Sequence, residues 1–300
     1  MNNMNPVFST VTILKVNNGA DFGTGFFYNL LDRTYIVTNK HVLSPEEGEP
    51  AEEIRFFIRD FGDMESINWI TISVEDGIGE DWFEPPLNES LDYDIDIAVI
   101  PINQRLSDFS EYINTSSPNI ETGSTAFTPE MIMRGDDIVS GGDVVLVIGY
   151  PDGLLDSGSY FPLLRDARIS TPFGAAFQRQ PKFITDAMMY PGMSGSPIVA
   201  GPRTLKNPAT GGLRTSSRGF ALLGVHSDNY QRPHGETVER LNLNAGWYAM
   251  MINIAIQEFH EKESDLSPEE VIEKIHEEHP GALEFDPNVI KHLIKDLGQE

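Results

Sequence analysis

The sequence predicts a mainly β protein in two strand-rich halves, followed by a helical C-terminal extension. Three observations predict it. Short β-branched and aromatic runs bounded by Gly, Pro, Asn and Asp recur from Pro6 to about Asp228. A Ser-, Thr-, Pro- and Gly-rich stretch from about Leu106 to Arg134 divides these runs into two series. Beyond Ala245 the apolar spacing changes to the helical period. A chain of 300 residues, 40% apolar, can build one large domain or two small barrels that share an interface. The expected divisions are 1–115, 116–263 and a tail over 264–300.

In the first half, TVTILKV is β-branched, and a turn at Asn17, Asn18 and Gly19 leads into GTGFFYNL. TYIVTNKHVL, IRFFIRD, INWITISVED and YDIDIAVIPI supply the further strands. Ser44 to Glu53 is acidic and reads as a surface loop. The second half offers GDVVLVIGY, LLRDARIST, KFITDA, SPIVA and FALLGVHSD, with an exposed hairpin loop over GPRTLKNPATGGLRTSSRG. AGWYAMMINIAIQEFHEKE reads as a helix with a broad apolar face. In SPEEVIEKIHEEH, Ser267 and Glu270 form a capping box with Pro268 in the first turn. The last helix, DPNVIKHLIKDLG, carries Ile290, Leu293, Ile294 and Leu297 on one face.

Forty-six acidic residues against twenty-one basic ones give a net charge of −25, which argues against nucleic acid or anionic lipid as a partner. With no cysteine, neither a disulfide framework nor a thiolate metal site can form. The N-terminus has no basic region followed by a long apolar core, and no stretch is apolar enough to span a bilayer. A cytoplasmic protein without membrane contact is expected.

Acyl transfer to a serine needs a base for its proton, a carboxylate to orient the base, backbone donors for the oxyanion and a tight turn to present the hydroxyl. PGMSGSPI provides such a turn, with Ser194 between Gly192 and Gly195; a plain Gly/Ser/Pro turn is the competing reading. His41 follows a β-branched run in VTNKHVL, where a strand should end. In DIDIAVI an acidic residue enters an apolar strand, so Asp96 needs a partner, and a neutral imidazole would serve. Asp92 and Asp94 are its rivals. The order His, Asp, Ser is that of chymotrypsin-type enzymes.

VTNKHVL, DIAVI, VIGYPDG and TDAMMYPGMSGSP, preceded by GTGFF, resemble the successive signature segments of HtrA-type trypsin-like serine proteases. The resemblance runs from about Val7 to Glu263. It implies two six-stranded Greek-key β-barrels with the active site in the cleft between them. His41 would be the general base, Asp96 the orienting carboxylate and Ser194 the nucleophile. Gly192 and Ser194, with Met193 between them, would form the oxyanion hole. The family usually has Asn or Asp at the place of Met193 and Gly at that of Ser196, departures that bear on substrate fit.

The same resemblance puts Met188, six residues before Ser194, at the base of the primary pocket. With no carboxylate there, a medium apolar side chain is expected in the pocket rather than Lys or Arg. LLGVHSD resembles the strand lining the pocket wall, with His226 facing the pocket and Ser227 supporting Asp96. In glutamyl endopeptidases of this fold a His at the matching place reads an acidic side chain; a hydrogen-bonded wall residue is the other reading. His234, His260, His276, His279 and His292 read as solvated positions, and neither a metal nor a cofactor is expected.

The resulting expectation is a regulated serine endopeptidase acting on protein or peptide through an acyl-enzyme. Its alternative is a latched or inactive protease-fold module controlled by a partner, with the C-terminal helices, which are unlike a PDZ domain, as the docking element.

Overall fold

In a computed structural model, residues 6–19, 21–31, 33–45, 48–60, 63–89, 91–102, 124–132, 139–201, 204–206, 213–215, 220–234, 237–263 and 267–279 are described. Strands form where the β-branched and aromatic runs lie. The first six are β1 (Val11–Val16), β2 (Asp21–Leu30), β3 (Arg33–Thr38), β4 (Glu53–Arg59), β5 (Ile67–Ser73) and β6 (Ala98–Ile102). They make one antiparallel sheet in the order β5-β4-β1-β2-β3-β6. Asn17, Asn18 and Gly19 turn the chain between β1 and β2 at φ of 45°, 58° and 84°, a left-handed region that Asn and Gly tolerate. One helical turn, α1 (Lys40–Leu43), follows β3.

Side chains alternate between the faces of this sheet. Leu14, Phe27, Ile36, Ile54, Phe56 and Ile58 fill the concave side as a core of their own. Ile13, Phe26, Tyr28, Tyr35, Val37 and Phe57 lie on the other side, in one continuous core with the second set of strands.

That second set is β7 (Val144–Gly149), β8 (Leu163–Ile169), β9 (Lys182–Asp186), β10 (Pro197–Ala200), β13 (Ala221–His234) and β14 (Thr237–Tyr248). These close on themselves in the order β10-β13-β14-β9-β8-β7, with β7 pairing β10. Between β10 and β13, a ribbon of β11 (Thr204–Lys206) and β12 (Leu213–Thr215) stands where the sequence reads as an exposed hairpin loop.

Two closed barrels are therefore not what the chain builds. One barrel is closed; the other six strands form an open, curled sheet. The cause lies at its edges. Beyond β6, Phe83 exchanges both backbone hydrogen bonds with Val99 at 2.8 Å, occupying the edge that β5 would need. Pro101 in the same strand has no N–H to offer a neighbour.

A second correction concerns AGWY, read as the start of a helix. Ala245, Gly246, Trp247 and Tyr248 belong to β14 and pair with Ile184, Phe183, Lys182 and Gly224. The helix begins only at MMINIA, as α2 (Met250–Glu263). The polar run TVERLNLN hides the first part of β14, because its hairpin with β13 extends beyond the barrel into solvent, where Val238 and Leu241 are exposed.

Helix α2 crosses back from the barrel onto the first sheet. Phe259 packs edge-on to Tyr35 and Phe83 at 5.8 and 5.1 Å. The Tyr28 hydroxyl donates to Asn253 Oδ1 at 2.6 Å, and the Tyr35 hydroxyl meets His260 Nε2 at 2.8 Å. The last described helix, α3 (Pro268–Glu278), has the expected capping box of Ser267 and Glu270 and buries Val271 and Ile275. At its end His279 Nε2 accepts from the Leu31 amide at 3.3 Å, while Nδ1 lies 2.7 Å from Glu130. His260 and His279 are thus engaged in packing rather than solvated. The expected helix over 286–298, with His292, and most of the 106–134 stretch lie outside the described residues. Among the described residues, no helix is long and apolar enough to cross a membrane.

Candidate active site

Three chain segments meet where the first sheet faces the barrel. The end of β3 delivers α1, which carries His41. The segment entering β6 carries Asp96 two residues before the strand begins. His41 Nδ1 donates to Asp96 Oδ2 at 2.8 Å, and the His41 amide donates to Oδ1 at 3.0 Å. The hydroxyl of Ser227, on β13, donates to the same Oδ2. Burial alone would push the Asp96 carboxyl up; the hydrogen bonds and charge of His41, with the Ser227 hydroxyl, outweigh it and hold the group below the usual carboxylate range. A carboxylate that stays ionised keeps the proton on Nδ1, leaving Nε2 to accept. Of the rival acids, Asp94 is exposed and pairs with Lys40 at 3.0 Å, and Asp92 is exposed.

Ser194 lies in the turn between β9 and β10. Gly192 and Gly195 there have φ of 86° and 83°. A side chain on Gly195 would collide with the Thr24 carbonyl, so the turn requires glycine. Thr24 fastens this loop to β2: its amide donates to Ser194 O at 2.9 Å and its hydroxyl to Gly192 O at 2.7 Å. Asn39 fastens it to the Asp96 segment: Nδ2 donates to Asp96 O at 2.6 Å, and Oδ1 accepts from the Gly195 amide at 2.5 Å. Nothing in the sequence marks Thr24 and Asn39 except that each is polar inside an apolar run. Met193 is fully buried, with its sulfur against Gly149. Among the described residues, the amides of Gly192 and Ser194 and the Ser194 hydroxyl donate no hydrogen bond.

The other expected site residues are Met188 and His226. Met188 is 51% exposed; its sulfur accepts from the Tyr190 hydroxyl at 3.0 Å, and its carbonyl accepts from Arg165 at 2.8 Å. His226 is only 1% exposed. Its amide donates to Ser196 O at 2.8 Å and its carbonyl accepts from Gly195 N at 3.0 Å, so its backbone braces the Ser194 turn. Its Nδ1 is buried without a hydrogen-bond partner. Burial chiefly, and then the charge of His41, lower the His226 pKa to about 4, against the opposing pull of Asp96. His226 is therefore neutral at pH 7.

Asp228, on the surface next to Ser227, is the carboxylate that the sequence reading did not weigh. Single ligand atoms of His41, Asp96 and Asp228 lie within 4.8 Å of one another, the arrangement among the described residues that could hold a metal ion. The fit is poor, because both Asp96 oxygens already accept from His41 and Ser227. What the described residues show is a histidine whose Nδ1 proton is fixed by Asp96, and a serine on a glycine-bounded turn that Asn39 ties to the Asp96 segment.

A family model described as a trypsin-like peptidase domain matches residues 23–202, more than half of the chain. The chain belongs to that family. No curated protein matches it. Solved structures similar to this trypsin-like chain include Rv3671c from M. tuberculosis H37Rv, in the inactive form of a serine-to-alanine mutant. That pair is 14% identical with a TM-score of 0.43, covering 85% of this chain and 89% of that one. The serine endoprotease from Yersinia pestis is 18% identical with a TM-score of 0.44, over 86% of this chain and 67% of that one. An inactivated protease paralogue of the scabies mite is 13% identical with a TM-score of 0.49, over 87% and 99%.

Proposed function

We propose that this trypsin-like chain is a latched protease-fold module, controlled by a protein partner or by its substrate. One observation carries the reading: the His41–Asp96–Ser227 relay is assembled, while the Ser194 hydroxyl makes no hydrogen bond among the described residues. A prepared base with no hydrogen bond to the nucleophile describes a resting state. On this reading, engagement brings the Ser194 hydroxyl into hydrogen-bond reach of His41 Nε2.

Once engaged, Ser194 Oγ would attack the scissile carbonyl and pass its proton to His41 Nε2, with Asp96 holding Nδ1–H. The unpaired amides of Gly192 and Ser194 would receive the oxyanion. Collapse of the adduct would release the amine with the proton from His41, and water would then hydrolyse the acyl-enzyme by the same route. No cofactor enters these steps.

A second reading, a constitutively active serine endopeptidase, is favoured by those same unpaired amides. Fluorophosphonate labelling separates the readings. On the latched reading, the chain alone labels slowly at Ser194. Adding casein, or loosening α3 from α2 with Val271→Asp, accelerates labelling, and Ser194→Ala removes it. Full labelling of the chain alone favours the constitutive enzyme. No labelling under any condition leaves a binding module without catalysis.

A further inference from the structure

The face of the first sheet that packs on the barrel continues past it. There Phe22, Lys15, Arg55 and Thr71 stand opposite one another across β2, β1, β4 and β5 and form one row. The row lines a groove of about 520 Å³, to which Gly153 and Leu155 contribute from the barrel side. Lys15 Nζ and the Arg55 guanidinium lie 4.7 and 4.8 Å from the centre of the Trp69 ring, which holds both side chains in place. Neither cation pairs with a carboxylate among the described residues, and Glu53, which lines the same groove, bridges to neither. In a chain with forty-six acidic and twenty-one basic residues, two adjacent cations without a counter-ion form an anion-receptive spot.

The row leads to the Ser194 turn. The Phe22 ring, 38% exposed, lies directly over Gly192 and leaves no room there for a side chain. Neighbouring strands are about 4.8 Å apart, which puts Lys15 roughly 5 Å and Arg55 roughly 10 Å beyond Phe22. An extended peptide rises about 3.3 Å per residue, so residues a few positions from a bond held at Ser194 would reach them. We propose that this groove binds an acidic stretch of a protein or peptide substrate, with Lys15 and Arg55 receiving its carboxylates. The proposal rests on Ser194 marking the point of cleavage, but the groove can be tested without any chemistry.

The test is fluorescence anisotropy on the Ser194→Ala chain, with two fluorescein-labelled peptides that differ only in Glu-Glu against Gln-Gln. At low salt the Glu peptide should bind at least about tenfold more tightly, and added NaCl should shrink that margin. The margin should vanish in Lys15→Gln/Arg55→Gln and persist in Lys15→Arg/Arg55→Lys, with melting curves checking that each variant is folded. Equal binding of the two peptides, or a margin untouched by the Gln substitutions, would overturn the proposal. A chain that binds the Glu peptide yet never labels at Ser194 keeps the groove and loses the protease reading.

Discussion

At the residue scale, the site depends on groups whose protonation is set by what surrounds them. Asp96 stays ionised because His41 and Ser227 both donate to it. His226 stays neutral because it is enclosed. Its pKa of about 4 in the folded chain lies below the unfolded reference of about 6.5, so the unfolded chain binds more protons between those values. The His226 contribution is therefore fully present above about pH 6.5 and is lost as pH falls toward 4. It is worth on the order of 3 kcal/mol, and His260, lowered to about 4 mainly by burial, adds a smaller share because it is more open to solvent. Urea midpoints should fall over this range, and His226→Leu should flatten the fall. A profile that is already flat in the native chain would contradict the assignment. Asp96 acts in a separate window, since its depressed pKa costs stability only below the normal aspartate range.

At the element scale, α2 is the part whose placement matters most. It follows the last barrel strand yet packs on the first sheet, through Phe259 against Tyr35 and Phe83 and through Asn253 against Tyr28. Phe259→Ala should cost about 3–5 kcal/mol, the usual effect of emptying a buried aromatic site, read as a lower thermal midpoint. Because α3 rests on α2, the same substitution should increase proteolysis near the link between the two helices. Protease resistance unchanged from the native chain would show that α2 is not what holds the tail. The open edge of the first sheet belongs to this scale as well: Phe83 and Pro101 at β6 stop the curl from closing.

At the scale of the whole molecule, the sheet and the barrel share one core, the Thr24 and Asn39 hydrogen bonds to the Ser194 loop, and a buried cation. Arg59, on β4, donates to the carbonyls of Ser159 and Tyr160, at 2.7 Å each, in the loop between β7 and β8. Its guanidinium also lies over Phe57 and Phe161, at 5.1 and 4.2 Å. Arg59→Ala should destabilise by about 3–5 kcal/mol, because it leaves the Ser159 and Tyr160 carbonyls without their donor and empties a buried site. Thermal melting should show the loss. A change under about 1 kcal/mol would mean that Arg59 adds little to the core and the Thr24 and Asn39 bonds in joining the two parts. The groove between them, with Lys15 and Arg55 along it, takes Gly153 and Leu155 from the same barrel loop that Arg59 ties to the sheet.

Much of this was legible beforehand. The β-branched runs marked the strands around the site, the glycine-bounded turn marked Ser194, and Ser267 with Glu270 marked the start of α3. Local sequence encodes these because each depends on backbone preference or on period within a few residues. The polar first part of β14 was not legible, since its arm is solvated and lacks an apolar face. Asn39 and Thr24 were not, since their partners are far away in the chain: the Gly195 amide is 156 residues from Asn39. The sequence by itself determined the strand-rich character, the order of His41, Asp96 and Ser194, and the tight turn at Ser194. Only the tertiary structure decided that one barrel closes while the other sheet stays open, that His226 is enclosed, and that Lys15 and Arg55 face an uncovered groove. Closure, enclosure and exposure are each set by whichever distant segment reaches a strand edge or a sheet face first, and no local pattern records that competition.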